Sequence, residues 1–327
     1  MTALGDRLGR RDPPTEVPVK ISKLVLSLAT LLVLSAGALG AFTTDSSVPS
    51  ARAASVKRAL FVVSNISDIP VPDGGPSGVW LSEVTEPYWV LRDAVAPQFT
   101  IDLASPSGGP SAIDGFSVKL NIDDWLRTDG RVTDSGDTSN ERFLSDPQTR
   151  DLIQVDAVPQ ADGTVQQRYS FRDTLPLSNV NVADYDVVFF VGGNAALFQF
   201  VNDQRVYGAA SAAYDAGKLV SAVCHGTAAL LEARLPDGQY LVAGRRVTGF
   251  SNAEEDKLGQ RAMAPVLLED AFPLRGATYT AAAPPFTEHV VVDGRLITGQ
   301  QPASGRAVGE AIVAYFAEPA IAAVPAA

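Results

Sequence analysis

The sequence predicts an α/β protein with a mainly parallel sheet and helices on both faces. Three observations carry that expectation. YDVVFFVGG (185–193) and LVSAV (219–223) are short, almost wholly apolar runs, as expected for strands buried on both sides. Segments with helical spacing alternate with such runs. The 327-residue chain is 46% apolar and 19% charged, with no repeats or heptads. That composition excludes a disordered, collagenous or coiled-coil protein and leaves room for a full core.

In chain order, residues 1–23 carry Arg7, Arg10, Arg11, Lys20 and Lys23, and an apolar run follows from Leu24 to Phe42. A Ser/Thr-rich stretch ending SARAAS comes next. Basic, apolar and small-residue segments in that order have the layout of a secretory signal, with cleavage expected before Ala54 or near Ala41. The apolar run is also long enough to cross a bilayer, so an uncleaved signal anchor at 24–42 is the alternative. Asp-Pro-Pro after Arg10-Arg11 argues against a twin-arginine signal. Residues 1–53 are therefore read as leader plus linker, 54–320 as the folded domain and 321–327 as a flexible tail. The expected location is secreted or extracytoplasmic, with membrane contact only through an uncleaved leader.

Within the domain, KRALFVVSN (57–65) reads as the first strand. Residues 78–96 have near-helical spacing, with Pro87 expected at a kink or a break. FTIDLAS (99–105) is a strand, 204–217 a helix ending at Gly217, and 289–299 a hairpin whose Asp293-Gly294 suits a type I′ turn. Residues 305–316 close the domain as an Ala-rich helix. Residues 121–180 break the rhythm with eleven acidic and six basic side chains. They read as an insertion with some local structure, either a lid over the site or a surface excursion.

Charge and soft-ligand counts narrow the function. The chain holds 37 acidic and 26 basic side chains, a net charge of −11, which disfavours nucleic acid as a partner. One cysteine excludes an intrachain disulfide framework. With only His225 and His289 beside it, no closed zinc site is expected, and no metal or cofactor is called for.

The chemistry concentrates at Cys224. LVSAVCHGTAALLEA runs from a buried strand into a helix, with Cys224 at the junction and Gly226 two residues on. A tight strand-to-helix turn of this kind lifts a nucleophile above the sheet edge. The helix start is expected to lower the thiol pKa, and neighbouring N–H groups can hold an oxyanion. His225 is adjacent and can reach a bound substrate; His289 reads as structural.

AVCHGTAALL, VGGNAALF before it, VTGFSNAEED after it and HVVVDGRLITGQQPAS near the end together resemble the ThiJ/PfpI superfamily. The resemblance extends through GVWLSEVTEPYWV and IDLASPSGG, and covers residues 57–317 apart from the insertion. The GVWLSE start and the long GF-x-N-x-EE block resemble its glyoxalase III-like, heat-shock-protein branch. The resemblance implies a flavodoxin-like three-layer sandwich (the class I glutamine amidotransferase-like fold) and a homodimer. It also implies Cys224 as nucleophile, His225 beside it, Glu83 against the sulfur and Glu255 orienting the histidine, with Glu254 the neighbour open to confusion. Gly192 and Gly193 match the turn that supplies an oxyanion-hole N–H. Asn194 stands where the family often has histidine, and Thr227 where proline is frequent; an amide cannot titrate near neutral pH.

The implied activity is cofactor-free conversion of small reactive carbonyls, methylglyoxal to lactate, through a Cys224 hemithioacetal. A carboxyl beside a sulfur can act as general acid or base while the thiolate attacks. The alternatives are a chaperone or redox protein with Cys224 oxidised to sulfinate beside Glu83, and, less favoured, a protease or an amidase, the latter lacking a late His-x-Glu pair.

Overall fold

The structure, a computed structural model, describes residues 56–72, 74–119 and 138–317. The leader, its cleavage positions, the anchor at 24–42 and the 321–327 tail lie outside those residues. No helix among the described residues is long and apolar enough to cross a membrane.

The strands are β1 (Lys57–Val62), β2 (Phe99–Ser105), β3 (Gly109–Ile113), β4 (Ile153–Pro159), β5 (Val165–Pro176), β6 (Val187–Phe190), β7 (Leu219–Val223), β8 (Arg246–Val247), β9 (Thr278–Tyr279), β10 (Val290–Asp293) and β11 (Leu296–Gly299). Nine of them form one sheet in the order β10-β11-β7-β6-β1-β2-β5-β3, with β4 also paired to β5. From β11 to β5 every neighbour is parallel. Every residue of β6 and β7 is buried, as the sequence pattern requires of central parallel strands. Phe61 and Phe189 meet edge to face at 4.9 Å across β1 and β6, both fully buried. Burial of each such ring stabilises the fold by roughly 2 kcal/mol.

The helices are α1 (Ser82–Asp93), α2 (Gly115–Lys119), α3 (Ser139–Ser145), α4 (Asn194–Phe200), α5 (Gln204–Asp215), α6 (Asn252–Leu258), α7 (Leu268–Ala271) and α8 (Gly305–Ala317). This is the flavodoxin-like α/β arrangement. Helix α1 runs through Pro87 without a break, which removes one of the two outcomes expected there. Val84, Tyr88 and Leu91 form one buried stripe, and Pro87 is itself buried. A Cβ on Gly309 of α8 would lie 2.9 Å from the Pro87 Cα, so the two helices cross closely at this point. Burial on this scale outweighs the roughly 3 kcal/mol that an interior proline costs a helix.

Two further expectations are corrected. Asp293 pairs with Leu296, so the hairpin turn is Gly294-Arg295, and only Gly294 has positive φ (+59°). That is the type II′ pattern rather than I′. The described part of the 121–180 insertion is not a lid. β4 and β5 extend the sheet as an antiparallel ladder beyond β2, and α3 packs behind α1. There Phe143 is fully buried against Tyr88 and Trp89, and Trp89 Nε1 donates to the Ser139 carbonyl at 3.1 Å. The segment buttresses the helix that carries Glu83.

Candidate active site

The sheet order turns back between β1 and β6, and ligands of open α/β sheets bind beyond the strand C-termini at such a point. Gly192 and Gly193 follow β6, and Cys224 follows β7. Cys224 has φ +56°, which L-residues rarely adopt, so the backbone bends sharply at the sulfur-bearing residue. A short 3-10 helix, Cys224–Leu230, follows in place of the α-helix expected from sequence. Thr227 Oγ1 donates to the Cys224 carbonyl at 2.8 Å and ties the bend down.

Glu83, in the first turn of α1, is fully buried. A Cβ on Gly192 would stand 2.5 Å from Glu83 Oε2 and 2.8 Å from Cys224 Cβ, so the missing side chain lets the carboxyl and the cysteine close around that residue. Gly193 has φ +100° and sits against the backbone of Gly78 and Trp80. The backbone N–H groups of His225 and Gly193 favour the ionised form of the Cys224 sulfur.

His225 Nε2 lies 2.9 Å from Glu255 Oε1, while Nδ1 faces Cys224 Sγ at 3.6 Å. With Glu255 accepting at Nε2, the neutral ring carries its proton there and leaves Nδ1 as an acceptor toward the sulfur. Phe250 lies against the imidazole with ring centroids 4.2 Å apart. Glu254 does something else. It completes a capping box with Ser251 at the start of α6, and its Oε1 accepts from Phe286 N and Gln300 Nε2, both at 2.8 Å.

The electrostatics correct one expectation. Burial pushes the Cys224 thiol well above its ordinary range, and the Glu83 carboxyl raises it further by charge repulsion and by accepting its proton. The N–H groups of His225 and Gly193 pull the other way and are outweighed. The helix start therefore does not leave a free thiolate. The cysteine and the carboxyl form a buried pair that shares one proton.

A cavity of about 430 Å³ opens onto Cys224 and His225. Its wall includes Gly193 and Asn194, whose Nδ2 donates to Gln260 Oε1 at 2.9 Å. Trp80, Asp114, Phe116, Phe250 and Gln260 also line it, and the sequence reading assigned none of them to the site. Trp80 and Phe250 lay within quoted motifs, GVWLSE and VTGFSNAEED, but were not singled out there; Asp114, Phe116 and Gln260 come from loops and a short helix with no distinguishing pattern. His289 contributes nothing to the wall and pairs with Thr280 Oγ1 at 3.0 Å. Among the described residues no group of three or more His, Cys, Asp or Glu is placed to hold a metal ion.

Fold and site together define an α/β protein with a cysteine on a nucleophile elbow, faced by a buried glutamate and a His–Glu pair. The DJ-1/PfpI family model matches residues 148–315, and the chain belongs to that family. It is 27% identical over 264 residues to Glyoxalase 3 of Candida albicans, spanning 79% of this chain and 98% of that protein. It is 26% identical over 255 residues to Glutathione-independent glyoxalase HSP31 of Saccharomyces cerevisiae, spanning 76% of this chain and 93% of that protein. Among solved structures, glyoxalase III of Candida albicans superposes with a TM-score of 0.60 at 26% identity, covering 80% of this chain and 97% of that one.

Proposed function

We propose that this protein is a cofactor-independent glyoxalase that converts a 2-oxoaldehyde such as methylglyoxal, with water, to the 2-hydroxy acid. Cys224 and His225 open onto one cavity, the first backed by Glu83 and the second by Glu255, and this arrangement carries the reading. The names of the relatives above support it.

The sulfur attacks the aldehyde carbon as its proton passes to Glu83, giving a hemithioacetal. The N–H groups of Gly193 and His225 stabilise the oxygen that becomes anionic on that carbon. His225 Nδ1 takes the carbon-bound proton, and the electron pair moves toward the neighbouring ketone to form an enediol. Protonation of the former ketone carbon leaves a hydroxyl there and a thioester at the sulfur. Water cleaves the thioester, releasing the hydroxy acid and restoring the thiol. One carbon is oxidised and its neighbour reduced, so no external oxidant or reductant enters. Incubation with methylglyoxal in the absence of glutathione should yield lactate; absence of lactate at any enzyme concentration counts against the reading.

The redox-sensor reading is not favoured, because Cys224 is only 3% exposed and its thiol holds its proton tightly. Two further proposals rest on sequence. The basic–apolar–small layout of residues 1–53 supports export, tested by mass spectrometry of the mature N-terminus. The family resemblance supports a homodimer, tested by light scattering.

A further inference from the structure

We infer that the preferred substrate is a 2-oxoaldehyde carrying a hydroxylated chain, with its carbonyl end at Cys224 and its hydroxyl groups meeting Asp114, Asn194 and Gln260. The inference rests on the glyoxalase reading and deepens it. A cavity of about 430 Å³ falls in the size class that encloses drug-sized ligands. Methylglyoxal, with five non-hydrogen atoms, fills only a small part of it.

The wall has two chemistries. Trp80, Phe116 and Phe250 offer aromatic faces, and Trp80 and Phe116 stand with ring centroids 6.2 Å apart. Asp114, Asn194 and Gln260 offer hydrogen-bonding groups. Asn194 and Gln260 bond to each other once, at 2.9 Å, which leaves donors and acceptors on both amides for a ligand. Asp114 Oδ1 accepts from Phe116 N at 2.9 Å, which fixes the carboxyl in place while a carboxylate retains further acceptor capacity. The same three polar residues line a second, smaller cavity of about 130 Å³.

An all-carbon substituent large enough to fill the main cavity would strip water from these groups and give nothing back. A hydroxylated chain replaces that water and stacks its C–H faces on the aromatic rings. Sites built to hydrogen-bond a substrate hydroxyl discriminate strongly against analogues that lack it. The chemistry at the carbonyl end is unchanged, with water added and one carbon oxidised at the expense of its neighbour.

The test compares kcat/KM for 3-deoxyglucosone (a six-carbon hydroxylated 2-oxoaldehyde), methylglyoxal and phenylglyoxal on the full chain. The expected result is a preference for 3-deoxyglucosone of about tenfold or more. Gln260→Leu should reduce kcat/KM for 3-deoxyglucosone about tenfold more than it reduces that for methylglyoxal. Equal or better turnover of methylglyoxal or phenylglyoxal by the parent protein overturns the inference and leaves the glyoxalase reading standing. No turnover of any of the three removes both.

Discussion

His225 Nε2 and Glu255 Oε1 stand 2.9 Å apart with both side chains all but sealed from solvent, and this contact decides which imidazole nitrogen faces Cys224. Glu255→Gln keeps the size of the partner but lets an amide N–H face Nε2. That favours the tautomer with its proton on Nδ1, the wrong nitrogen for accepting one. The expected outcome is a fall in kcat of about 100-fold or more, with little change in Tm. Lactate formation at saturating methylglyoxal, beside a thermal melt, checks both halves.

Glu83 raises the Cys224 pKa, so removing its charge should lower it. In Glu83→Gln the pH midpoint for alkylation by iodoacetamide moves to lower pH. Turnover falls at the same time, because no carboxyl takes the thiol proton during attack. A midpoint that stays fixed or moves up would contradict the shared-proton pairing.

The elbow was legible because a buried strand, LVSAV, runs straight into Cys224, and the parallel sheet because β6 is apolar throughout and β7 is apolar but for Ser221. Glu83 and Glu255 were legible only through resemblance, since a lone carboxyl in a helical stretch reads as a solvated charge. β5 escaped recognition because its start is exposed, with polar residues at 166–168 and no alternation; it is held by antiparallel partners on both sides, β3 and β4. The direction of the Cys224 shift was misread because the helix start is local in sequence, whereas the opposing Glu83 is brought in by the fold. Asp114 and Gln260 sit beside short, irregular turns, where periodicity carries no signal.

Two glycine substitutions separate crowding from freedom. Gly192→Ala forces a methyl between Glu83 and Cys224, at 2.5 Å from the carboxyl oxygen. It should lower kcat at least about tenfold and destabilise by roughly 1–3 kcal/mol. Gly208, inside α5, has nothing within 4 Å of its added Cβ. Gly208→Ala should stabilise by about 0.5–1 kcal/mol with activity unchanged. Urea denaturation and lactate assays on both variants test the contrast.

Burial pushes the Asp114 carboxyl above its ordinary 3.8, against the N–H groups of Phe116 and Ser117, which lower it. The folded state then holds this proton more tightly than the unfolded chain. The resulting stability is complete below the unfolded pKa and is lost as pH rises through the folded value. Asp114→Asn removes the dependence. The stability of the variant minus that of the parent, from urea unfolding, should therefore increase between pH 4 and pH 7. A flat or falling difference would contradict the assigned direction.

The most direct measurement is lactate production from methylglyoxal, without glutathione, by the parent protein and by Cys224→Ala side by side. The parent should form lactate, and the variant should lose about a thousandfold or more of that rate while melting at a similar temperature. Lactate formed by Cys224→Ala at the parent rate would show that this sulfur does not carry the reaction.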